Sequence, residues 1–164
     1  MKYEIVEIKE KTLVGLKARI KEEKTAPDTI WNLWKDLYSE KGVKNVKDRK
    51  NGNLMGVYYN YSNENCFEYD CLTGCEVKGI ADEIPENMIK IEIPEGKYAK
   101  FVIFGNPEKA VGEFWYKFWE EFGKEKSDIR NYTYDFEEYI TKDNYEISGE
   151  SYENMEIHIY ISIK

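Results

Sequence analysis

"EIKEKTLVGLKARI" (Glu7 to Ile20) and "EIPEGKYAKFVIFG" (Glu92 to Gly105) are two versions of one pattern. Each reads Glu-Ile-x-Glu, then a short turn, then an alternating strand. Each leads into a helix. The first is "TAPDTIWNLWKDLYSEKG", with Thr25 as cap and Pro27 in the first turn, where a missing N–H costs little. Ile30, Leu33, Trp34, Leu37 and Tyr38 recur at the spacing of one helical face. The second, "NPEKAVGEFWYKFWEEFGKE", carries Asn106 as cap, Pro107 next, and the stripe Val111, Phe114, Trp115, Phe118 and Trp119, extended by Phe122. Gly42 and Gly123 stand where helices stop.

Two further strands follow each helix. In the first half they are "LMGVYYNY" (54–61) and "CFEYDCLTGCEV" (66–77); in the second, "NYTYDFEEYI" (131–140) and "MEIHIYISIK" (155–164). Met155, Ile157, Ile159, Ile161 and Ile163 make one apolar face of the last strand, opposite Glu156, His158, Tyr160 and Ser162. The chain therefore reads β-β-α-β-β twice, as repeat 1 over about 1–77, a linker over 78–88 and repeat 2 over about 89–164. The fold class is α+β: a single domain with pseudo-twofold symmetry, about eight antiparallel strands, and two helices on one face. The Met155-to-Ile163 face and the helix stripes form the core. The opposite face is expected to carry Glu137, Tyr139, His158 and Tyr160 and to wall a cleft at the symmetry axis.

The 164 residues suffice for one domain with a real core. A net charge of −8 argues against direct nucleic-acid binding and favours neutral or cationic partners. Fourteen tyrosines, four tryptophans and seven phenylalanines supply rings that suit binding surfaces as well as cores. Cys66, Cys71 and Cys75, an odd set without a secretory signal, point to reduced thiols and a cytoplasmic location. Their spacing fits no zinc site, and His158 is the only histidine, so no metal and no cofactor is expected. No apolar run reaches the roughly 20 residues of a membrane span. The basic stretch 41–53 reads as a solvated loop, and the acidic stretch 141–154 as a hairpin connection or a lid.

"GVYYNYSNENCFEYDCLTGCEV" resembles the middle of the GyrI-like, or AraC-type effector-binding, domain family, with Gly56-Val57, Phe67, Tyr69, Gly74 and Val77 at the matching places. "FWEEFGKEKSDIRNYTYDFEEYI" is similar to that family's helix end and Phe-Glu-x-Tyr strand, through Phe136, Glu137 and Tyr139. "EIHIYISIK" resembles its final strand, with Ser162 where a proline is usual. The resemblance spans essentially the whole chain. It implies a central pocket for amphipathic, cationic or planar small molecules; the chain reads as a stand-alone member, and the internal duplication points to a monomer or weak dimer.

The resemblance makes Glu137 the polar feature of a ring-lined pocket. Tyr139, Tyr160, Tyr69 and His158 are expected around it, and Trp119 at its rim. Glu138 is the rival acid, because a bulge would exchange the faces. Trp34 and Trp115, on the helix stripes, read as core. Three functions fit the family: drug or effector binding, hydrolysis of cyclopropane-bearing natural products with Glu137 as general base, and a protein partnership of the topoisomerase-inhibitor kind. A buried Glu137 has a raised pKa under either of the first two.

Overall fold

Alternation of apolar residues at a period of two gives the strands β1 (Glu4–Ile8), β2 (Lys11–Ile20), β3 (Leu54–Tyr59), β4 (Tyr69–Glu76), β5 (Ile89–Ile93), β6 (Gly96–Gly105), β7 (Tyr134–Ile140) and β8 (Met155–Ser162). The helical stripes give α1 (Ala26–Leu37) and α2 (Pro107–Glu120), and two single turns are α3 (Phe122–Glu125) and α4 (Glu150–Glu153). The computed structural model describes residues 1–62, 68–79, 83–141 and 150–164. Cys66 and Phe67, part of the linker, and most of the 141–154 stretch lie outside the described residues.

The eight strands form one antiparallel sheet in the order β1-β6-β8-β7-β3-β4-β2-β5. Exchanging each strand of the first half for its counterpart in the second leaves this order unchanged, read from the other end. The axis of that symmetry passes between β3 and β7, where Gly56 is paired with Glu137. The first strand of each half crosses over: β1 pairs with β6, and β5 with β2.

Asn106 caps α2 by accepting from the Glu108 amide at 3.0 Å. Thr25 does not act as a side-chain cap; its hydroxyl donates back to the Glu22 carbonyl instead. Gly123 lies within α3 rather than ending a helix, since the chain breaks at Glu121 and turns again through Phe122, which joins the core. Leu33 and Leu37 of α1 pack on Val14, Ile20, Cys71 and Cys75. Phe114 and Phe118 of α2 pack on Phe101, Ile157, Ile159 and Ile161 of the same sheet face. Both thiols are free and buried, and burial pushes Cys75 up to about 11.

The face away from the helices differs from expectation. It is not an open cleft wall but a third core: Leu13, Met55, Val57, Leu72, Tyr98, Phe136 and Tyr160 fill the curl of the sheet. Phe136 stacks on Tyr160 at 4.5 Å, and Tyr98 meets Phe136 edge-on at 5.5 Å. The sheet closes tightly where Gly15 faces Gly74 across β2 and β4. A Cβ on Gly15 would lie 2.2 Å from the Thr73 carbonyl oxygen, and one on Gly74 would lie 2.1 Å from that of Val14. Alanine at either position must push backbone apart. The expected loss is about 1–3 kcal/mol or more, read by thermal unfolding; an unchanged melting temperature would contradict the close approach.

Candidate functional site

Residue pairing decides which side chains meet. Glu137 lies opposite Ile159, and Tyr139 opposite Ile157, so both acid and phenol point to the helix-covered face. Phe136 and Glu138 lie opposite Tyr160 and His158 and point the other way. The expected set is therefore divided by the sheet. Tyr160 belongs to the curl core, and His158 bonds Glu156 at 2.7 Å near the surface. Glu138 accepts from Asn53 on that side as well. Tyr69 stays on the helix side, edge-on to Tyr58 at 5.9 Å. Trp119 does not reach the cleft; it is half exposed beside the Arg130 guanidinium, 5.1 Å away.

Glu137 is 1% exposed. Its Oε1 accepts from Trp115 Nε1 at 2.6 Å and from the Tyr58 hydroxyl at 3.1 Å. Its Oε2 accepts from the Tyr139 hydroxyl at 2.6 Å. Desolvation raises the pKa of Glu137, and these three hydrogen bonds draw it back without cancelling the rise. Burial and the neighbouring carboxylate hold the phenols of Tyr58 and Tyr139 well above their ordinary value, so both stay neutral donors. Among the described residues no cation pairs with Glu137.

Two residues that read as core, Trp34 and Trp115, flank this acid, and Tyr58 completes the set. The duplication relates them. Trp34 and Trp115 hold the same place in the two helical stripes, as do Tyr58 and Tyr139 in the central strands, and Gly56 is the counterpart of Glu137. Trp34 is edge-on to Tyr139 at 5.0 Å, and Trp115 edge-on to Tyr58 at 5.7 Å, so the ring contacts repeat across the axis. The acid does not repeat, and glycine at 56 makes room for it. A Cβ there would lie 3.2 Å from Glu137 Oε2 and 3.1 Å from Trp34 Cζ2.

A cleft of about 460 Å³ opens between the helices over this floor, lined by Trp31, Trp34 and Tyr38 of α1, Val111 and Gly112 of α2, and Glu137 and Tyr139 below. Tyr152 of α4 closes one end by donating to Glu108 at 2.8 Å. A larger depression of about 640 Å³ adjoins it at Tyr38, beyond the end of α1, but reaches none of the buried acid's partners. Gly112 leaves the α2 wall bare, since a Cβ there would meet nothing within 4 Å. Mid-helix glycine costs about 1 kcal/mol relative to alanine.

A second acid two residues back is treated differently. Asp135 is fully buried and accepts from Arg130, from Tyr61 at 2.8 Å and from the Ser162 amide at 2.9 Å. The Arg130 guanidinium lies 4.2 Å over the Tyr132 ring. Burial works against its charge, but Asp135, Tyr61 and Tyr132 outweigh it and raise its pKa.

The chain is thus a duplicated antiparallel sheet with two helices on one face and a ring-lined cleft between them. The chain belongs to the Cass2 family of integron-associated effector binding proteins, whose model matches residues 4–163. That membership bears out the resemblance to GyrI-like domains and places the chain among small-molecule-binding proteins. Solved structures share the fold at low identity. One, described as SAV2435 bound to tetraphenylphosphonium, is 20% identical with a TM-score of 0.77 over 100% of this chain and 94% of its own. An integron cassette protein from Vibrio cholerae is 22% identical with a TM-score of 0.72, over 99% and 95%. A protein from Staphylococcus aureus MU50, provisionally assigned to bacterial transcription regulation, is 19% identical with a TM-score of 0.75, over 100% and 99%. A comparison with curated proteins gives no match. Among the described residues no helix is long and apolar enough to cross a membrane.

Proposed function

We infer that the chain binds lipophilic aromatic cations in the cleft, with Glu137 as the countercharge and Trp34, Tyr58 and Tyr139 as the ring surfaces. One contrast carries this reading. Asp135 has a buried guanidinium for its charge, whereas Glu137, equally buried, has only neutral donors among the described residues. A carboxylate held out of water without a cation is costly, and a bound cation offsets that cost while its rings lie against the aromatic walls. The phosphonium-bound relative of similar fold agrees with this ligand class. Hydrolysis by the same carboxylate has less support, since Oε1 already accepts two hydrogen bonds and Oε2 one, which leaves a single open acceptor direction for a water.

Titration with tetraphenylphosphonium is expected to quench the fluorescence of the cleft tryptophans. Glu137→Gln should weaken that binding about tenfold, roughly 1.4 kcal/mol. The neutral triphenylphosphine oxide should bind both forms alike. Equal affinity of parent and variant for the cation would remove Glu137 from the site.

A further inference from the structure

β1 and β5 stand at the two ends of the sheet, and both are shorter than the strands they pair with. β1 covers β6 only from Gly96 to Lys100, and β5 covers β2 only from Lys11 to Gly15. Among the described residues, the later half of β6 and that of β2 have no strand on their outer side. The chain before Glu4 turns toward the helices: the Met1 amine donates to Glu121 at 3.0 Å, and Tyr3 packs on Phe101 and Phe122. Lys97 turns its carbonyl to the β8 side, where the Ile163 amide donates to it at 3.0 Å. The register of β6 on β8 is unbroken, so Val102 and Phe104 turn their amides and carbonyls outward.

An open strand edge invites further pairing, and charged side chains are a common way to blunt it. β1 carries Glu4 and Glu7, and β5 carries Lys90 and Glu92. The later half of β2 carries Lys17 and Arg19, bridged to Asp70 and Glu68. The corresponding stretch of β6, "FVIFG" (101–105), has no charge. The duplication supplies the control, because Val102 and Phe104 stand where the first half has Lys17 and Arg19. They are 43% and 61% exposed.

We propose that this stretch is a docking edge for a second copy of the chain: two β6 strands pair antiparallel about a twofold axis at Ile103 and join two eight-stranded sheets into one. Val102 then lies opposite Phe104 of the second copy, and Phe104 opposite its Val102. Cross-strand pairs of a ring with a β-branched side chain are stabilising, and no like charges meet directly across the axis. Charge chooses the occupant. The outer stretches of β1, β2 or β5 in a second copy would set Glu, Lys or Arg beside Val102 and Phe104. They would also join the copies head to tail, an arrangement that can grow without closing, whereas self-pairing of β6 closes at a dimer. Few residues take part, so the dimer is weak and forms as concentration rises.

Sedimentation equilibrium over roughly a hundredfold range of protein concentration tests the pairing. The parent should pass from monomer to dimer mass. Phe104→Lys, which introduces the kind of side chain the first half carries, should stay monomeric with a melting temperature near the parent's. Val102→Lys serves as the second variant if that form does not fold. Ile103→Cys tests the register, because the twofold sets residue 103 against itself at a Cα separation of about 4.5–5.5 Å, which a disulfide can span. Mild oxidation should cross-link Ile103→Cys into a dimer, and adding Phe104→Lys should abolish the link. A parent that stays monomeric throughout overturns the proposal, as does a dimer that the lysine variants leave intact. A parent dimer without a cross-link in Ile103→Cys overturns the twofold pairing.

Discussion

Asp135→Ala is expected to cost about 3–5 kcal/mol of folding stability, the range for removing one partner of a fully buried ion pair. The loss comes less from the missing attraction than from what is left behind. Arg130, 1% exposed, would keep its charge among Phe118, Trp119 and Tyr132, and its Nε and Nη1 already lack hydrogen-bond partners among the described residues. The Ser162 amide and the Tyr61 hydroxyl would lose their acceptor as well. Replacing both charges, as Arg130→Met with Asp135→Asn, removes the stranded cation and keeps an acceptor for Ser162. That double form should recover most of the loss. Urea unfolding with an unchanged m-value measures both. A cost under about 1 kcal/mol for the single substitution would show that the pair contributes little.

Cation binding should fall steeply as the solution is acidified, approaching tenfold per pH unit below the Glu137 pKa. A protonated Glu137 offers a cation no countercharge, so the ligand must displace the proton. Within the range where the free site is partly protonated, binding releases protons, which calorimetry in buffers of different ionisation enthalpy detects. The stability of the unliganded protein follows the opposite course. Glu137 has a raised pKa in the fold, so the folded state holds its proton to a higher pH than the unfolded chain does. The stability linked to that proton is present below the unfolded value and lost as pH rises through the folded one. Relative to Glu137→Gln, the parent should therefore lose melting temperature with rising pH. The same variant distinguishes Glu137 from Glu108, the other acid on the cleft. A pH-independent affinity in the parent would mean that Glu137 is already ionised throughout the range.

Much of the fold is legible in the residues, and the reasons are local. The Glu-Ile-x-Glu openings, the two aromatic stripes and the strict alternation from Met155 to Ile163 each report a period that one element imposes on its own side chains. What they do not report is how two strands sit against each other. β7 and β8 both alternate cleanly, yet only the pairing of Glu137 with Ile159 tells which face of one continues which face of the other. Shifted by one residue, the same two strands would have gathered Glu137, Tyr139, Tyr160 and His158, as the alternation alone suggests. Trp115 packs against the core as its stripe position suggests, and its second role is hidden for a related reason. Its stripe position is that of a core residue, and its role at the acid comes from the indole N–H, whose partner lies on another element. A usable signal existed: Trp34 and Trp115 match in the two repeats, and a covered indole needs an acceptor.

Covalent fusion of the two halves matters for the central pairing of Gly56 with Glu137. Two identical half-length chains meeting at this axis would place the same residue on both sides. Glutamate twice would press like charges together, and glycine twice would leave the hollow uncharged. A single polypeptide escapes that constraint, because each copy can diverge separately, and a lone anion can occupy a point that strict dimer symmetry must fill in duplicate or not at all.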